Sequence, residues 1–159
     1  MPQGLDHEMI QNAILYAGQP EIQEMEVLTG TDFCPGRLVI ADTAVYQCQV
    51  AGAGSLLVLG VADVPSDKKL SWYWAAPANG EGDPAHDFEA KDQIRVLRGD
   101  IVVKLVAVSG ATINVGTRVY PSTIGMVTNT VVSGGTIGYS LEKKGTLAKA
   151  DWVLVKLTI

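Results

Sequence analysis

Few residues in this chain of 159 are suited to chemistry. A hydroxyl or thiol nucleophile needs a base beside it, and near neutral pH that base is usually an imidazole. The chain offers two histidines, His7 and His86. His7 stands near the first residue, where a fixed geometry is hard to hold. His86 stands in Asp83-Pro84-Ala85-His86-Asp87-Phe88-Glu89, whose carboxylates suit calcium and whose imidazole suits zinc. That spacing fits neither an EF-hand nor a His-x-x-x-His helix, so the run is read as a solvated acidic loop. Cys34 and Cys48 are too few for a disulfide scaffold and lack zinc partners, and they are expected to be reduced thiols in or near strands. No Gly-x-Ser-x-Gly elbow, Gly-x-x-x-x-Gly-Lys loop or Cys-x-x-Cys pair is present. Gly52-Ala53-Gly54 is followed by a strand where a dinucleotide site needs a helix N-terminus, and it is read as a turn. The chain is therefore expected not to be an enzyme, with no catalytic residue, metal or cofactor assigned.

Ser71-Trp72-Tyr73-Trp74 is the most aromatic stretch, and strand geometry places Trp72 and Trp74 on one face. Three readings stand for that pair: core packing, a protein interface, or a platform for a sugar ring. The third carries the alternative function, a carbohydrate-binding β-module displayed on a virion or cell surface.

Charge narrows the partners. The chain is 47% hydrophobic and 18% charged, enough apolar material for a single core. Residues 1–36 hold Asp6, Glu8, Glu21, Glu24, Glu26 and Asp32 with no Lys or Arg, while the eleven acids and twelve bases that follow nearly cancel. A nucleic-acid groove needs clustered cations, so nucleic acid is not an expected partner. The acidic leader is either an arm that docks on a basic neighbour or a solvated segment kept acidic for solubility. The longest apolar run, Leu56 to Ala62, falls far short of the ~20 residues of a membrane-crossing helix. The first residues lack the pattern of a secretory signal, so synthesis in a cytoplasm and no membrane partner are expected.

These residues must be positioned by short elements. Asp6 is a candidate cap for a helix with Ile10, Ala13, Ile14 and Ala17 at i, i+3, i+4 and i+7, stopped by Gly18 and Pro20. Too short to be stable alone, it must rest on the body or a partner. Residues 1–33 are thus expected to form an acidic N-terminal arm containing a short helix, and 34–159 an all-β body. Candidate strands are Arg37 to Ala41, Ala44 to Val50, Leu56 to Val61, Leu70 to Ala75, Gln93 to Leu97, Ile101 to Val108, Arg118 to Tyr120, Gly125 to Val127, Thr136 to Leu141 and Trp152 to Ile159. Short strands at this spacing predict a compact barrel or a sandwich of antiparallel strands. Arg98-Gly99-Asp100 reads as a hairpin turn and Asn79 to Pro84 as a long projecting loop.

Two strands are greasy on both sides. Ile101, Val103, Leu105 and Ala107 back onto Val102, Lys104, Val106 and Val108. Val153, Val155, Leu157 and Ile159 back onto Trp152, Leu154, Lys156 and Thr158. A one-sided sheet in water alternates more cleanly, so the outer faces need a cover. A partner subunit is the favoured cover, with the leader or the long loop as the alternative. Val102-Val103-Lys104-Leu105 also echoes Leu154-Val155-Lys156-Leu157.

The run Cys34-Pro35-Gly36-Arg37-Leu38-Val39, then Leu59 to Asp63 and Asp92 to Gly99, resembles the small head-decoration (cement) proteins of tailed phages and proviruses. Val108 to Tyr120, Gly125-Met126-Val127, Ile137 to Glu142 and Val153 to Leu157 resemble that family's strand and turn segments; Ser140 replaces a commoner alanine, and the stretch through Asn79 to Phe88 is longer than in minimal members. The likeness covers about residues 34 to 159. It implies a β-barrel or β-tulip body without catalysis, often a homotrimer, attached to the major capsid protein on the outside of a virion head. Interface candidates are Asp6, Ile10, Ile14, Glu21, Glu24 and Glu26 in the arm, Val102, Lys104, Val106, Trp152 and Leu154 on the strands, and Trp72 and Trp74. Removing residues 1–28 is expected to leave a folded body.

Overall fold

The structure is a computed structural model, and it describes residues 14–28, 33–64, 88–89, 91–131 and 135–159. Among these residues the chain is all-β apart from one 3₁₀ turn, Thr123–Gly125, as the strand spacing predicts. The first six strands are β1 (Leu15–Ala17), β2 (Glu21–Val27), β3 (Leu38–Ala41), β4 (Gln47–Val50), β5 (Val58–Ala62) and β6 (Gln93–Arg98). The rest are β7 (Val102–Ala107), β8 (Thr112–Ile113), β9 (Arg118–Pro121), β10 (Val127–Thr128), β11 (Gly138–Ser140), β12 (Gly145–Thr146) and β13 (Asp151–Leu157).

Two closed rings result. In the first, β2-β4-β3-β5-β6 form a barrel, with β2 parallel to β4 and antiparallel to β6 from Glu21↔Arg98 to Glu26↔Gln93. Met25 and Val27, Ile94 and Val96 recur at the period of two that sends alternate side chains inward, and with Val39, Cys48 and Ala62 they fill it. In the second, β7 carries β13 along one edge and β1 then β10 along the other; the order β7-β10-β9-β11-β13 returns to β7. Closure leaves both rings without the long unpaired edges that invite aggregation.

The rings are joined through a shared core. Leu38, Val61 and Leu97 form one cross-strand row over β3, β5 and β6. They belong to the cluster that holds Val103, Leu105, Val153, Val155 and Leu157 of the second ring, not to the filling of the first. Each such buried aliphatic stabilises by roughly 1.5–3 kcal/mol, as an upper estimate, so the rings are expected to unfold together.

Several expectations are corrected here. Arg98-Gly99-Asp100 is not a hairpin: β6 pairs only within the first ring and β7 only within the second, so this turn passes the chain between rings. The helix expected through Ala17 ends instead in a strand. Leu15–Ala17 pairs with Val102 and Val103 of β7, and Ile14 is fully buried in the shared core. Packing on an existing strand overrides a weak helical periodicity. Nor is the acidic segment an arm separate from the body. Glu21–Val27 is a barrel strand whose outward positions carry Ile22, Glu24 and Glu26 while Met25 and Val27 point inward, so the boundary at residue 33 does not divide the fold. The strand expected at Gly125 to Val127 begins as the 3₁₀ turn, with Ile124 at φ 53° and Gly125 at φ 66°. The two-residue strands β8 and β12, paired to each other, carry too little pattern to be read from sequence. The expected strand Leu70 to Ala75 and all of the long loop but Phe88 lie outside the described residues.

Candidate interaction surface

The outer faces of β7 and β13 are covered in part by the chain itself. Val106 is fully buried with Met126 and Ala150, and Val108, Ile124 and Trp152 pack against them. Trp152 also packs on the shared core, its ring against Gly36 of the first ring. Val106, Ile14 and much of Trp152 are thus occupied within one protomer, whereas the sequence reading favours a partner subunit as the cover for the strand faces and takes Ile14 as an interface candidate of the arm. Val102, Lys104 and Leu154 remain partly exposed in register, Leu154 opposite Lys104 and Lys156 opposite Val102. The two echoing segments are therefore antiparallel neighbours. Burial pushes the Lys104 ammonium below its usual lysine range.

Of the strand acids expected to meet a basic partner, Glu21 and Glu26 already have partners within the chain. Glu21 lies 3.4 Å from Arg98, an exposed pair of little energetic weight. Glu24 is registered opposite Arg95, and the Glu26 carboxylate accepts a hydrogen bond from Gln47 Nε2 at 3.1 Å. Asp6, Ile10, Trp72 and Trp74 lie outside the described residues, as do His7 and His86. Cys34 and Cys48 form no disulfide and are both buried, and burial pushes the Cys48 thiol up to about 11. Gly52 to Gly54 is a turn closed by Ser55, whose Oγ accepts from Gly52 N and donates to Gly52 O. Among the described residues no three His, Cys, Asp or Glu side chains are grouped to hold a metal ion, and no helix is long and apolar enough to cross a membrane.

The sequence reading missed a surface at one end of the first ring. The β3–β4 hairpin ends in Val45 and Tyr46, and the chain enters β5 through Leu56 and Leu57. These four are between 65% and 82% exposed. Register brings the two segments to the same end: Asp42 N donates to Gln47 O, closing the hairpin, while Ile40 pairs with Val58 at the start of β5. Tyr46 is held at φ 61°, and its carbonyl accepts from Glu26 N at 2.7 Å, so the tip is braced from β2. Beside it a cleft of about 250 Å³ is lined by Ile40, Ala41, Ser55, Leu56 and Leu57. Large apolar side chains grouped this way on a soluble surface mark contact sites. In sequence they were absorbed into the candidate strands Ala44 to Val50 and Leu56 to Val61, because apolar residues at a strand's start look like core.

No protein-family model matches the chain, and no curated protein matches it. A solved structure does: the head fiber gp8.5 N base in bacteriophage phi29, with a TM-score of 0.53 at 12% sequence identity, over 88% of this chain and 95% of that one. The two share a fold. At that identity the likeness is one of architecture, and it covers both rings, since neither alone accounts for so much of the chain.

Proposed function

We propose that this chain is a structural protein of a phage-type virion head, bound to the outside of the capsid, where it bridges neighbouring subunits of the major capsid protein and stabilises the shell. The exposed apolar tip carries the reading: Val45, Tyr46, Leu56 and Leu57 stand in water at one end of a braced ring, where a partner would cover them. Two further observations support it. The sequence resembles head-decoration proteins, and the fold is similar to one that a phage head fiber uses for its base. The role needs no catalytic residue and no cofactor. Modest contacts repeated over a symmetric shell sum to firm attachment, so each copy can bind weakly. A trimer is the assembly proposed, which would give a solution mass near three times 16.9 kDa.

Binding to purified heads that lack the protein tests this. Wild-type chain should co-sediment with the heads and raise their resistance to heat or chelators. Leu57→Asp, at a site too exposed to disturb folding, should lose occupancy while keeping the wild-type circular dichroism spectrum. Undiminished occupancy would remove the tip from the mechanism, and no wild-type binding would defeat the reading.

A further inference from the structure

A second cleft, of about 340 Å³, opens on the other ring, lined by Gly99, Asp100, Tyr139 and the last four residues, Lys156 to Ile159. Its geometry follows from register. Tyr139 and Lys156 are directly opposed across the antiparallel β11–β13 ladder, so both side chains stand on the outer face, while Gly138, Ser140, Val155 and Leu157 turn inward and are buried. Arg118 is registered on the far side of Tyr139. Lys156 Nζ pairs with the Asp100 carboxylate. Asp100 rides on a braced turn: Gly99 N donates to Ile159 O at 3.0 Å, Ile101 N donates to Gly99 O at 2.9 Å, and Gly99 sits at φ 102°, where glycine is favoured.

We infer that this cleft is a subsite for a neutral pyranose. Such a ring has an apolar C–H face and a rim of hydroxyls that each donate and accept. Tyr139, 39% exposed, offers an aromatic surface for the apolar face. The ammonium of Lys156 and the carboxylate of Asp100 set a donor beside an acceptor, the pairing that two adjacent hydroxyls require, and the Thr158 hydroxyl can serve either way. The Lys156–Asp100 pair cancels its own charge and Arg118 lies outside the lining, so the cleft itself is neutral and suits an uncharged ring. The volume lies at the lower end of the roughly 300–1,000 Å³ of ligand sites, room for a single ring. So few contacts give millimolar affinity, which repetition of the protein on a shell multiplies. Only that last step rests on the proposed head location.

The test is amide chemical-shift titration of the full chain with the methyl glycosides of glucose, galactose, mannose and N-acetylglucosamine. At least one should shift Gly99, Thr158 and Ile159 saturably. Tyr139→Ala should weaken that binding about tenfold, and Tyr139→Phe, which keeps the platform, should restore it. Asp100→Asn and Thr158→Val, both at exposed positions, should also weaken it, and they decide the matter if Tyr139→Ala loses spectral dispersion. No shift with any of the four sugars up to about 100 mM, or binding indifferent to these substitutions, overturns the inference. Leu57→Asp should leave the sugar shifts intact, so a failure of capsid docking and a failure of this site read out separately.

Discussion

The indole of Trp152 fills the space that a Cβ on Gly36 would need: the nearest ring carbon would lie 2.6 Å from it. Gly36 belongs to the loop entering β3 of the first ring and Trp152 to β13 of the second, so a glycine in one ring is the seat for an aromatic of the other. Gly36 also holds φ at 77°, and its N–H donates to Ala62 O at 2.8 Å. The contact explains why Trp152, placed by its strand pattern on an outer face, is committed within one protomer.

Gly36→Ala therefore meets two penalties, the left-handed backbone and the collision with the ring. Together these should destabilise the fold by about 2–4 kcal/mol. Trp152→Phe in the same chain should recover part of that loss, because only the collision is relieved. Urea denaturation of the two single variants and the double variant gives the coupling. Additive losses would show that the ring and the glycine do not share this space.

Deleting residues 1–28 should not leave a folded body. The deletion removes β2 from the closed first ring, stripping β4 and β6 of a neighbour and taking Met25 and Val27 from the filling, and it also removes Ile14 from the shared core. Expected results are loss of near-ultraviolet circular dichroism and of a cooperative urea transition. A wild-type midpoint in the truncated chain would contradict the strand assignment. Deleting only residues 1–13 spares every described strand, and that variant is the one suited to asking what the acidic leader contributes to docking.

What the sequence disclosed follows from how local each signal is. Gln93–Arg98, Val102–Ala107 and Asp151–Leu157 lie within a residue or two of their expected bounds, because each is a β-branched and leucine-rich run bounded by Gly, Asp or the chain end. β2 escaped because its glutamates dominate its composition, although Met25 and Val27 carry the alternation. The division into two rings depends on which distant strands meet. Leu97 faces the second ring while Val96 faces the first ring's interior, a distinction set by the register Val61↔Leu97 and not by either residue's type. The apolar tip was illegible for the same reason: Leu57 and Leu59 are the same residue, and only the end of the β3–β5 pairing leaves one of them in water.

Both thiols should be silent in the native state. Cys48 lies in the first ring's interior and Cys34 in the shared core. Ellman's reagent at pH 8 should find no reactive thiol before denaturation and two per chain after it. Burial raises the Cys48 thiol from 9.0 to about 11, so the folded state holds this proton more tightly than the unfolded chain. Its contribution is complete below pH 9 and is lost as the pH rises through 9 to 11. Cys48→Ala should flatten that part of the stability profile; an unchanged slope would place the thiol in water.

Asp63 gives the opposite end of the pH scale. Burial raises its carboxyl above the usual 3.8, and neither the hydrogen bond accepted from Val64 N at 2.9 Å nor Arg95 at 3.8 Å brings it back. The folded chain therefore binds this proton more tightly than the unfolded one, so the stabilising contribution is full below pH 3.8 and fades as the pH rises through the raised value. At neutral pH the buried charge is a net cost, since the guanidinium across from it is half exposed and screened. Asp63→Asn keeps an Oδ1 acceptor for Val64 N–H and removes the charge, so it should melt at or above wild type at pH 7 and lose that advantage at pH 3. Thermal melts at the two pH values decide it. A variant less stable at pH 7 than at pH 3, relative to wild type, would mean that attraction to Arg95 outweighs the cost of burial.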